Sequence, residues 1–180
     1  MIIASQKKKE NIAEYLLYMW QVEDLIRAFK LDMDQIDQKL ISQYQVDDEQ
    51  RAVIRQWYSD LCDMMRLEGV EQSGHLQINK NVIIELTDLH NRLLNSTKQA
   101  FYTAGFYKTL PFIVELRAKA GEHKKGELET CFDALYGTLM LKMQGKEISE
   151  PTQKALTQIS SFLMLLADRY NAEKTEELEL

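Results

Sequence analysis

A chain that reverses direction many times needs residues that tolerate tight turns, and this one has few. Its 180 residues include 7 glycines and 2 prolines, too few for a sandwich or barrel built on repeated hairpins. Those present mark helix ends instead. Asp32 with Gln35, Asp47 with Gln50 and Ser96 with Gln99 have capping-box spacing and open helices at about residues 33, 48 and 97. Gly69, Gly121 and Gly145 supply stops. Ser149, with Pro151 in the tolerant first turn, opens a last helix. A first helix over 10–30 and others over 78–94 and 126–144 complete the series. Pro111 falls inside the fifth helix, where it removes a donor and predicts a kink.

Periodicity agrees. Val53, Ile54, Trp57, Leu61, Met64 and Met65 recur at helical spacing, as do Leu156, Ile159, Phe162, Leu163, Leu166 and Tyr170. No sustained alternation of period two predicts a strand. The expectation is an all-α, single-domain bundle of six to seven mostly antiparallel helices over residues 1–171. Residues 172–180, rich in Glu, are expected to be a frayed or disordered tail. The first helix carries Ile12, Tyr15, Leu16, Met19, Val22 and Ile26 on one face and Leu17, Tyr18, Trp20 and Leu25 around the rest. A helix apolar nearly all round is central in its bundle or lies at an interface, so a homodimer through this helix is one expectation.

Charge narrows the function classes. Twenty-two basic residues against 28 acidic ones give a net charge of -6, the wrong sign for general nucleic-acid binding. A helix-turn-helix reader is not expected either, because residues 33–44 offer Lys39 against Asp34 and Asp37. Cys62 and Cys131 are too few for a disulfide framework and read as buried thiols. The first ten residues lack the pattern of a signal peptide, and no apolar run approaches the ~20 residues of a membrane span. The expected location is the cytoplasm.

The motifs that carry chemistry are mostly missing. Di-iron bundles need Glu three residues before His, but Gln72, Thr87 and Ala120 precede His75, His90 and His123 at that spacing. No metal or cofactor is expected. Gly121 and Gly126 have the spacing of a phosphate loop, yet Glu127 and Leu128 follow where Lys and Ser or Thr are required. Phe101, Tyr102, Phe106 and Tyr107 read as core, and Gly137 as a close crossing or an open groove. Glu23 lies on the apolar side of the first helix with Arg27 one turn on and Trp20 beside both. These three residues and His90 form a candidate polar pocket, or else a structural cluster in the core. His75 sits in a loop with no evident partner.

Several strings resemble an uncharacterised bacterial family, known in the Bacteroidetes and carried as a domain of unknown function. They are Asn11-Ile-Ala-Glu-Tyr15, Tyr18-Met-Trp20, Glu23-Asp24-Leu-Ile-Arg27, Gly74-His-Leu76, Asp88-Leu-His90 with Leu93-Leu94, and Leu135-Tyr136-Gly137 with Leu141. The resemblance spans nearly the whole chain except the acidic tail. It implies an all-helical cytoplasmic protein and supplies no reaction, substrate or catalytic residue. The function expected from the sequence is a non-enzymatic interaction or adaptor protein with an unidentified protein partner. The alternative is a small-molecule-binding bundle with a polar pocket near Glu23, Arg27 and His90.

Overall fold

A computed structural model describes residues 2–120 and 125–180. Among the described residues there is no strand. The α-helices are α1 (Ile2–Glu10), α2 (Ile12–Ala28), α3 (Met33–Lys39), α4 (Asp48–Leu67), α5 (Gln77–Leu94), α6 (Ala100–Ala120), α7 (Glu127–Met143) and α8 (Glu150–Lys174). Short 3-10 turns at Ile41–Gln43 and Thr97–Gln99 precede α4 and α6. The helix beyond the expected six or seven is α1. It is separated from α2 by Asn11, whose Oδ1 accepts from the backbone N–H of Ala13 at 3.0 Å. Asparagine is a strong N-cap, and this cap opens α2 at Ile12, inside the first helix expected over 10–30.

The expected caps form. Asp32 accepts from the N–H groups of Asp34 and Gln35, Asp47 from Gln50, and Ser96 from Lys98. Ser149 instead bonds the Thr152 hydroxyl at 2.9 Å. Helix α2 ends without glycine: Lys30 and Leu31 take φ of 53° and 56°. Such a turn is strained for these residues. Leu31 is buried, and Arg66 donates to its carbonyl at 2.8 Å, both of which hold the turn.

The chain divides into two compact units: Met1–Lys8 with Glu14–Asn81, and Lys9–Ala13 with Val82–Leu180. In the first, α3 and α4 pack together. The buried stripe of α4 is Ile54, Tyr58, Leu61, Cys62 and Met65. It is rotated about one residue from the expected face, leaving Val53 56% exposed. Tyr58 replaces Trp57 as its buried aromatic. Helix α2 buries Tyr15, Leu16, Met19, Trp20, Val22 and Ile26, so most of its apolar girdle is covered within the chain.

In the second unit α6, α7 and α8 pack on one another. The expected stripe of α8, from Leu156 to Tyr170, is buried throughout. That helix runs to Lys174, so the expected domain boundary at residue 172 falls inside it. Beyond it, Gln99 Nε2 donates to the carbonyl of Glu179 at 2.7 Å. Of the aromatic stripe expected in the core, Tyr102 and Phe106 are buried but Phe101 and Tyr107 are exposed. Helix α6 continues through Pro111. The proline is on the exposed side, where water can serve the carbonyl of Tyr107 that loses its helical donor. Both cysteines are buried, and burial pushes the Cys131 thiol up to about 12. Gly121 and His123 of the glycine-spaced loop lie outside the described residues. Among the described residues no helix is long and apolar enough to cross a membrane.

Candidate functional site

Three side chains of the candidate cluster come from α2. Trp20, Glu23 and Arg27 follow one another at helical spacing along one side. Opposite them lies the connection from α4 to α5, which begins at Glu68 and carries Val70, Gly74 and His75. Gly74 adopts φ of 88°, with the Val70 side chain 3.6 Å from where a Cβ would stand. Glycine is needed there for the backbone conformation rather than for space.

Glu23 is fully buried and fully engaged. Its Oε1 accepts from the backbone N–H of Leu76 at 2.9 Å and from Asn79 Nδ2 at 2.6 Å. Its Oε2 faces His75 Nδ1 at 2.6 Å. The imidazole stacks on Trp20 with centroids 4.2 Å apart and planes within 15°. Glu23 therefore does not take Arg27 as its partner, although helical spacing suggested that pair. Leu76 accepts at its carbonyl from Asn79 and Lys80, which makes it the first residue of the α5 turn. Gln77, the next residue, donates its N–H to Glu68 Oε2 at 2.6 Å. The N-terminus of α5 is thus capped by two carboxylates, Glu23 of α2 and Glu68 just past the end of α4, which its partial positive charge favours.

Arg27 braces the same connection. Its Nε and Nη2 donate to the carbonyl of Val70 at 3.3 and 3.1 Å, and Nη2 also reaches the carbonyl of Gly74. Nη1 pairs with Asp24 at 2.8 Å. The two ends of the loop are tied to one guanidinium, a fork suited to paired carbonyls.

His90 takes other partners, in the second unit. Its Nδ1 lies 2.6 Å from the Tyr102 hydroxyl, and Phe106 and Phe162 stand edge-on to the ring at 4.7 and 5.9 Å. Burial in this aromatic cage lowers its pKa to about 4, so the ring is neutral at pH 7. Its Nε2 has no hydrogen-bond partner among the described residues, and Glu127 Oε2 is 3.8 Å away. Of the four candidate residues, Trp20, Glu23 and Arg27 make their contacts within the first unit and His90 makes its contacts within the second. The set in the first unit includes His75 and Asn79, which sequence reading left out. The signal available for them was the acid-free start of α5: no Ser, Thr, Asp or Asn stands at its cap, so an acceptor had to come from elsewhere. Among the described residues no group of three His, Cys, Asp or Glu side chains is placed to hold a metal ion.

These contacts define a class: an all-helical protein in which a buried carboxylate fastens an inter-helix connection. The sequence matches the domain of unknown function DUF4924 over residues 1–177. The chain belongs to that family. No curated protein and no solved structure matches it significantly.

Proposed function

We propose that this protein is a non-enzymatic interaction or adaptor protein of the cytoplasm, and that it meets a protein partner through α7. One observation carries the reading. From Asp133 to Met143 no residue of α7 is buried, yet Ala134, Leu135, Tyr136, Leu139, Met140, Leu141 and Met143 make that stretch apolar on every side. Leu141 and Met143 are exposed and the other five only half-buried, an apolar surface of the kind that marks an interaction face, and methionines suit surfaces that adapt to a partner. Gly137 adds a notch: nothing lies within 4 Å of where its Cβ would be.

The small-molecule reading loses its basis, because both oxygens of Glu23 and the guanidinium of Arg27 are committed to the chain's own groups. A second copy of the chain would be met at α7 rather than at α2, whose apolar residues are mostly covered. The test is a Leu141→Lys/Met143→Lys variant compared with wild type by far-UV circular dichroism, sedimentation and affinity capture. The expected result is unchanged helicity with loss of the bound protein or of self-association. Binding retained at wild-type strength would remove α7 as the interface.

A further inference from the structure

The geometry points to His75 as a phosphoryl-accepting residue, modified at Nε2 by a donor of the phosphoramidate class. Glu23 Oε1 already receives two N–H donors, and Oε2 faces the imidazole. A carboxylate has only acceptors to offer, so His75 Nδ1 carries the proton and donates it. In the neutral ring the lone pair is then on Nε2. The side chains of Glu23 and His75 are 1% and 31% exposed. The carboxylate is sealed in while the imidazole reaches solvent. Trp20, itself buried, stacks against the ring and fixes its plane.

A buried carboxylate on one ring nitrogen and an open lone pair on the other is how a histidine is made a better nucleophile. His90 shows the contrast: its side chain is 3% exposed and caged by aromatic rings. Arg27 holds the carbonyl of Gly74, the residue before His75, which steadies the backbone that carries the imidazole. The acceptor needs no substrate cleft of its own when the donor is presented by another molecule, which is consistent with an interaction protein but does not depend on α7.

The step balances without a redox partner. The Nε2 lone pair attacks phosphorus, the P–N bond of the donor breaks, and the donor nitrogen leaves with its proton as the neutral amine. The Nδ1 proton stays on its bond to Glu23. The bond formed is of the same P–N kind as the bond broken, so the exchange is close to balanced in energy.

Phosphoramidate itself is the probe. Purified full chain is incubated with it at mildly alkaline pH, and the product is followed by intact mass, peptide mapping and phosphorus NMR. The expected product is one phosphoryl group on His75 Nε2, formed about tenfold faster in the native chain than in the same chain in urea. Glu23→Gln should slow it by about tenfold. Equal rates in native and urea-unfolded chains, or modification at Nδ1, would overturn the assignment. So would a wild-type rate in a Glu23→Gln variant whose circular dichroism is native. If that variant does not fold, the comparison of native and unfolded wild type decides.

Discussion

His90 illustrates how much a single residue's surroundings decide. On the sequence it shared a helical arc with leucines, which made burial legible, but the tyrosine and phenylalanines around it come from α6 and α8 and left no local signal. The unfolded chain protonates this histidine near 6.5, whereas burial holds it at about 4 in the fold. Between those values the unfolded state binds a proton that the folded state refuses, so stability falls as pH falls through that window. Between pH 7 and 5 the loss from this residue should be about 2 kcal/mol. Urea unfolding of wild type and His90→Gln at both pH values checks it: the variant should show a flatter dependence. Parallel profiles would mean that His90 is not the source. Glu23 teaches a related lesson. Its position on an apolar face was readable, and the need for partners followed, but the i, i+4 neighbour Arg27 was the wrong one. The true partners are 52, 53 and 56 residues away.

At the scale of elements, helix boundaries were most legible where the cap is local. Asp32, Asp47 and Ser96 each serve their own first turn, and the sequence spacing records it. The start of α5 was less so, because its caps are Glu23 of α2 and Glu68 just past α4. α1 was not legible either, because Lys7, Lys8 and Lys9 leave its sequence without a helical apolar stripe. The element with the clearest consequence is α7. Gly137 sits within it, exposed and with open space beside it, so nothing within the chain offsets the helix propensity it gives up. Gly137→Ala should stabilise the isolated protein by about 1 kcal/mol, read as a higher unfolding midpoint. The same change should weaken partner binding, since the notch is filled. A variant that is less stable than wild type would show that the glycine serves the fold itself.

At the scale of the molecule, the all-helical architecture was legible from turn-residue scarcity and from helical periodicity, both of which are spread over the whole chain. The division into two units was not, because it depends on which helices meet and leaves no break in composition. Helix α5 runs through the boundary: Gln77 to Asn81 belong to one unit and Val82 onward to the other. A continuous helix shared in this way should couple the unfolding of both. The two tryptophans, Trp20 and Trp57, both lie in the first unit, whereas far-UV circular dichroism reports helices of both. Fluorescence and dichroism should therefore give coincident denaturation curves. Separated midpoints would mean that the units melt independently.

The two buried cysteines have a practical corollary. A thiol reacts as its thiolate, and burial raises the pKa of both Cys62 and Cys131. The native chain is therefore a quiet background for thiol chemistry. A single cysteine introduced on the open stretch of α7, for example Leu141→Cys, would take a maleimide dye selectively without removing either native thiol. That gives a fluorescent reporter placed on the proposed interface itself, able to register a partner's arrival as a change in emission.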